Sequence, residues 1–181
     1  SDFDLKQHEK HSNANLKIQN EKGEKIIPHV VAEPSQGLER AFLVFMFDAY
    51  QHDKKRDNIV LKLHPKLAPV KAAILPLVKT DKKLIKLSQK IHQELRSKIN
   101  VAYDEAASVG RRYSRNDEIG TPYCITVDGD SLKNNSVTIR DRDTTKQIRV
   151  KLNSLNEVLK QLLNQEIKFE KAGKLISTRK K

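Results

Sequence analysis

The chain has 181 residues, enough for one good core, or for one core with a fragment of another. Apolar residues make up 37 % and charged residues 32 %, but the apolar ones fall in periodic runs, which argues against wholesale disorder. The longest uninterrupted apolar stretch, Ala41 to Phe47, is far short of a membrane span, and the lone Cys124 excludes an internal disulfide and any multi-cysteine metal site, fitting a reducing compartment. The net charge of +12 is unevenly placed. Residues 1–53 carry 6 Lys and Arg against 9 Asp and Glu, residues 54–100 carry 13 against 3, residues 101–164 carry 10 against 9, and the stretch from Gln165 carries 6 against 2. A basic block beside near-neutral segments is the footprint of a polyanion partner, most often nucleic acid. Because 25 of the 35 basic residues are Lys, a coding bias toward Lys-rich surfaces is the competing explanation.

The chain opens Ser1-Asp2-Phe3-Asp4 with no basic-then-apolar leader, which predicts a cut boundary rather than a signal peptide. A β-branched run from Ile26 reaches the turn Glu33-Pro34-Ser35-Gln36-Gly37, and the pattern Leu38–Tyr50 is helical. Phe42, Leu43, Phe45, Met46, Phe47 and Tyr50 leave that helix little polar face, so it calls for burial on most sides. The charged joint His52–Asp57 reads as a surface connection between domains. Val70–Pro76 has strand length, and Asp81 is placed to cap a helix over Lys82–Ile99 with the stripe Leu84, Leu87, Ile91, Leu95, Ile99. A short strand at Val101–Tyr103 precedes a basic helix from Ser108 to about Glu118. Pro122–Val127, Val137–Arg140 and Gln147–Leu152 read as strands, the first leading through Asp128-Gly129-Asp130 into the second, and Ser154–Leu163 closes the unit as a helix. This order is α/β with a mixed sheet of about five strands flanked by helices. The Lys-rich stretch after Gln165 lacks an apolar stripe and reads as a mobile tail. The expected division is therefore 1–53, a linker at 54–69, a folded unit at 70–165 and a tail at 166–181.

Neither GxGxxG nor a P-loop occurs among the 6 glycines, so the two commonest nucleotide cradles are excluded. His8 and His11 share a helical face without a further ligand, and no metal site is expected. Cys124 inside a strand reads as a small core residue. The lysines at 82, 83, 86 and 90 form the solvated face of an amphipathic helix, where they also steer RNA at long range.

One segment carries chemistry. In Glu33-Pro34-Ser35-Gln36-Gly37-Leu38-Glu39-Arg40, a carboxylate and a hydroxyl offer acceptors for a small ammonium group. Arg40, held at the start of an apolar helix, suits the bidentate grip of a phosphate or carboxylate. The alternative is a plain joint in which Arg40 pairs with Glu39 or Glu33.

Glu33-Pro34-Ser35-x-Gly37-x-x-Arg40 followed by an apolar helix resembles motif 3 of the glycyl-tRNA synthetases, a family of class II aminoacyl-tRNA synthetases. Asp2-Phe3-Asp4-Leu5-Lys6-Gln7-His8 is similar to the segment before motif 3, and Leu61–Pro69 to the entry of the C-terminal domain. Arg112-Tyr113-x-Arg115-x-Asp117-Glu118-Ile119-Gly120-Thr121-Pro122 and Val137–Thr144 resemble the anticodon-binding domain of that family. One departure is that four residues separate Pro28 from Glu33 where the family pattern has three; in a strand the extra residue flips side chains unless a bulge absorbs it.

The resemblance implies that residues 1–53 are a strand–turn–helix fragment of a class II antiparallel-sheet catalytic domain, and that 70–165 bind the tRNA anticodon. It implies that Arg40 binds the ATP γ-phosphate and that Glu33 and Ser35 line the glycine pocket. The parent reaction joins glycine to its tRNA with ATP and Mg2+, in a cytoplasmic homodimer with no membrane association. Motifs 1 and 2 are missing, so no residue here is assigned a catalytic role, no cofactor is expected to be held tightly, and this chain alone is expected not to form the adenylate. The anticodon-contact candidates are Arg111, Arg112, Tyr113 and Arg115 on the basic helix and Arg140 and Arg142 at a strand end, where planar cations and a ring can stack or hydrogen-bond splayed bases. For each arginine the alternative is an internal salt bridge, such as Arg142 with Asp117 or Asp143. Two other functions compete: a non-catalytic nucleic-acid-binding module on the same scaffold, resembling the accessory subunit of mitochondrial DNA polymerase, and a basic surface for an acidic protein.

Overall fold

The computed structural model describes residues 1–32 and 34–176. Two compact units divide between Ala41 and Phe42. In the first, helix α1 (Phe3–Ser12) is followed by a two-residue ribbon, β1 (Ile18–Gln19) antiparallel to β2 (Lys25–Ile26). The run expected as a strand from Ile26 is paired in that ribbon only at its first residue; beyond it, Val30 donates its N–H to the carbonyl of Ser1 at 2.7 Å. Pro28 has no N–H to give a ladder, and a two-strand ribbon is too small to organise more chain. No described residue of this unit is buried.

The unit boundary falls inside helix α2 (Leu38–Ala49). From Phe42 onward this helix packs Met46 and Ala49 against a small cluster with Leu61, Leu63 and Ala68. Phe42, Leu43, Phe45 and Phe47 are exposed, Phe47 by 75 %, so the burial that the sequence calls for is absent among the described residues. The joint expected as a linker is instead a hairpin, β3 (Tyr50–Asp53) antiparallel to β4 (Asn58–Leu61). Asp53 closes its turn by accepting from the backbone N–H groups of Lys55 (2.9 Å) and Arg56 (3.2 Å), and Val60 and Leu61 are buried.

The main sheet comprises β5 (Ala72–Pro76), β6 (Val101–Tyr103), β7 (Tyr123–Val127), β8 (Ser136–Asp141), β9 (Gln147–Lys151) and β10 (Lys174–Ile176). Its spatial order is β10-β9-β8-β7-β5-β6. β5 is parallel to both β6 and β7, and the remaining pairs are antiparallel. The helices are α3 (Lys82–Arg96), α4 (Val109–Glu118), α5 (Gly129–Asn134) and α6 (Leu155–Leu163). Asp81 caps α3 as its position suggests, accepting from the N–H groups of Lys83 and Leu84. Asp128-Gly129-Asp130 opens α5 rather than a simple turn, with a capping box between Asp128 and Ser131.

The sixth strand lies in the stretch read as a mobile tail. β10 pairs with β9, and Phe169 stacks on Tyr123 with ring centroids 6.2 Å apart. Three residues are too few for an alternation pattern to announce a strand; Gly173 makes the approach possible, because a Cβ there would meet the Arg149 carbonyl at 2.7 Å.

Alternation along the strands gives the sheet two different faces. Ala72, Ile74, Tyr123, Ile125, Val137 and Ile148 pack under α3 and α6 in the main core. Ala73, Leu75 and Cys124 face the other way, toward Tyr113 of α4, and burial pushes the Cys124 thiol up to about 12.

Candidate nucleic-acid interface

Five of the six anticodon-contact candidates point into, or are tied down within, the α4 face. Ser108 caps α4 through the Arg111 N–H, and the helical period then turns Arg112, Asn116 and Asp117 inward. Asp117 is 1 % exposed and is the hub. Arg140 grips it with two parallel bonds of 2.8 and 2.9 Å, and Arg56 adds a third of 3.0 Å. The Arg140 guanidinium also lies 4.7 Å from the Tyr113 ring centroid. Burial works against its charge, but the Asp117 bonds outweigh it and hold the Arg140 pKa above its ordinary value. Tyr113 shares a 2.6 Å hydrogen bond with Thr126, and burial raises its phenol.

Arg142 is 2 % exposed and fully engaged: to both Asp143 carboxylate oxygens at 2.8 and 3.0 Å, to the Gly120 carbonyl at 2.8 Å and to the Leu63 carbonyl at 2.9 Å. Of the two internal partners suggested by sequence, Asp143 takes Arg142, and Asp117 takes Arg140. Arg112 donates to the Pro76 carbonyl at 2.6 Å, while its buried Nε has no partner among the described residues. Arg115 is half exposed, bridging Asp104 and the Ala106 carbonyl. Arg111 is exposed and forms no ion pair among the described residues.

Arg112, Arg140 and Arg142 thus hold the domain together and present no free guanidinium to solvent. The sequence reading missed Arg56, which lies in the supposed linker. It bonds Asp53 (2.8 Å), Asp117 and the carbonyls of Arg142 (2.8 Å) and Asp143 (3.3 Å), fastening the β3–β4 hairpin to the sheet. The available signal was the Asp53/Arg56 spacing of three around a tight turn, which places the two side chains together.

In the first unit, Ser35 and Arg40 are exposed, and Glu33 lies outside the described residues. His8 and His11 are exposed on α1. Among the described residues no three His, Cys, Asp or Glu side chains gather as a cation site requires, and no helix is long and apolar enough to cross a membrane.

The anticodon binding domain family matches residues 71–162, a span that runs from the start of β5 to α6. Glycine–tRNA ligase of Alkaliphilus metalliredigens is 50 % identical over 173 residues, covering 93 % of this chain and 36 % of the relative. The enzyme of that name from Clostridium acetobutylicum is 46 % identical over 165 residues (89 % and 35 %), and that from Corynebacterium glutamicum 47 % identical over 171 residues (90 % and 37 %). The chain spans about a third of the length of the curated relatives it matches.

Proposed function

The chain belongs to the anticodon binding domain family, and from that premise we propose that it is the tRNA-binding C-terminal part of a glycine–tRNA ligase, holding the anticodon stem-loop of glycine tRNA. The observation that carries this reading is the 50 % identity to a glycine–tRNA ligase across both units, together with a folded α/β domain over the matched span. In this reading Arg111, exposed at the first turn of α4, contacts the RNA directly. Arg115 joins it by exchanging Asp104 for a phosphate or base edge, and Arg112, Arg140, Arg142 and Tyr113 position the surface.

The parent enzyme condenses glycine with ATP and transfers the glycyl group to tRNA, acting as a cytoplasmic homodimer. Arg40 grips the ATP γ-phosphate, and Glu33 and Ser35 receive the glycine ammonium group, each by charge-assisted contact. ATP and Mg2+ belong to that whole enzyme; no residue here is assigned to Mg2+.

Titration of the chain with glycine tRNA, and with the same tRNA altered in its anticodon, tests the reading at two salt concentrations. Discrimination of about tenfold or more that persists at the higher salt is expected; equal affinity for both tRNAs refutes anticodon reading. Pyrophosphate exchange with glycine and ATP should be absent for this chain alone, and robust exchange would show a complete adenylation site.

A further inference from the structure

The lysines outside α3 and α6 are organised rather than scattered. Four clefts on this side share residues and form one groove. A cleft over Lys83, Lys86 and Leu132 shares Leu87 and Lys90 with the next, between α3 and the start of α6. That one shares Lys98 and Asn156 with a third, of about 540 Å3, reaching Lys66, Lys71 and Lys160. It shares Leu152 and Asn153 with a fourth beside Asn134 and Lys151. Among the described residues, eight lysines line the groove against a single carboxylate, Glu94, which pairs with Lys90 at 3.8 Å. Lys83, Lys86, Lys98 and Lys160 form no ion pair among the described residues, and all four are exposed.

We propose that this α3–α6 groove is a second RNA surface, one that grips the phosphate backbone of the tRNA without reading its bases. The proposal rests on the tRNA-binding reading above and adds where the rest of the RNA is held. Three features point to phosphate. Among the described residues no aromatic side chain lines any of the four clefts, so none of them offers a base a stacking partner. Lysine is a compact point charge that satisfies a phosphate from many directions, which suits sequence-independent grip. The asparagines between the lysines offer amides to 2′-hydroxyls.

The topology makes one RNA able to reach both surfaces. β5 and β6 are parallel neighbours, and their carboxyl ends lead into α3 and α4 respectively. The amino-terminal ends of both helices, with Lys83 and Lys86 on one and Arg111 on the other, therefore stand at the same end of the sheet. From there the groove runs along α3, about 22 Å long for its 15 residues, toward Lys71 and Lys98 at the amino ends of β5 and β6. That length spans several successive phosphates of an RNA strand.

The test replaces four groove lysines together, Lys83→Gln, Lys86→Gln, Lys98→Gln and Lys160→Gln. Its control removes the same charge elsewhere, Lys10→Gln, Lys17→Gln, Lys22→Gln and Lys25→Gln. Affinity for transcribed glycine tRNA is measured across salt concentrations. The groove variant should lose about 3 from the slope of log K against log salt, as four lost phosphate contacts require, and its backbone protection of the tRNA stem against hydroxyl radicals should disappear. The control should move the slope by less than 1, and both variants should melt as the wild type does. The preference for the correct anticodon should be unchanged in the groove variant, so a wild type without that preference indicts the anticodon reading and not the groove. A groove slope equal to that of the control overturns the proposal. So does a variant that loses affinity for polyglutamate but not for tRNA, which would assign the groove to an acidic protein.

Discussion

The two faces of the main sheet solve the same packing problem with opposite chemistry. Under α3 and α6 the sheet offers Ile74, Ile125, Val137, Ile139 and Ile148, all fully buried, to an apolar helix stripe. Toward α4 its apolar surface is the small set Ala73, Leu75 and Cys124 with part-buried Ala102, and guanidiniums and carboxylates pack beside it. The comparison shows why the arginines and lysines of this basic chain have different fates. A guanidinium has five donors in a fixed plane, so Arg140 and Arg142 can be buried if every direction meets an acceptor. A lysine ammonium is hydrated too strongly for that, and on the apolar-cored side it stays at the surface. Where arginine and aromatic side chains suggest base reading, the molecule has mostly used them internally; where lysine suggests only a solvated helix face, Lys83 and Lys86 are left without an ion pair among the described residues.

The largest expected effect falls on the ionic face. Asp117→Ala leaves Arg140 and Arg56 without their shared carboxylate in a buried site, which costs about 3–5 kcal/mol, or on the order of 10 °C in Tm for a chain of this size. Thermal and urea unfolding measure it. A loss below about 1 kcal/mol would mean that water or a rearranged partner satisfies the guanidiniums, and that the α4 face is not held together by this hub.

That hub also marks how far the sequence was legible. The strands and helices of the α/β unit were readable because each carries its own period: the Leu84–Ile91–Leu95 stripe for α3, and the apolar runs for β5 and β7. The Asp81 cap was readable because capping is local. The arginine roles were not, because Arg140 and Asp117 are 23 residues apart and pair only through the fold. Local spacing distinguishes a reader from a strut only by exposure, which no single sequence displays. Likewise the apolar face of α2 was legible as a demand for burial, but nothing local states what meets it.

The apolar face is tested at its edge. In Gly173→Ala the added Cβ meets the Arg149 carbonyl at 2.7 Å and Val150 Cγ2 at 2.9 Å, and β9 backbone is the part least able to move. Overpacking of this kind costs about 1–3 kcal/mol. Amide exchange should accelerate at β10 and around Phe169 while the amides of α4 stay protected. Uniform acceleration on both faces would show that they unfold as one.

Arg111→Ala separates binding from stability on the ionic side. Arg111 is exposed, so the melting curve should stay within about 0.5 kcal/mol of wild type, while affinity for glycine tRNA falls by roughly 3–10-fold, as for one lost solvent-screened contact of about 1 kcal/mol. Unchanged affinity would move direct contact away from the first turn of α4.

The smallest effect is a matter of pH and lies where the sheet meets α5. Asp128 caps α5 and accepts two bonds from Arg149, at 2.9 and 2.7 Å. Burial alone would raise its pKa, but the Arg149 bonds and charge and the Ser131 bonds overcome that and hold it below the ordinary aspartate value. A carboxyl depressed by folding stabilises the native state above its unfolded pKa, and that contribution disappears as pH falls through the lower folded value. Arg149→Gln removes the charge that depresses it. Partial exposure screens the pair, so with the cap retained the loss should be about 1 kcal/mol or less. The difference between wild type and variant should therefore be constant from about pH 5 to 7 and shrink toward zero as pH drops below about 4. A difference that persists unchanged at pH 2.5 would make Arg149 a packing residue along its aliphatic stem, and would place this joint with the apolar face rather than the ionic one.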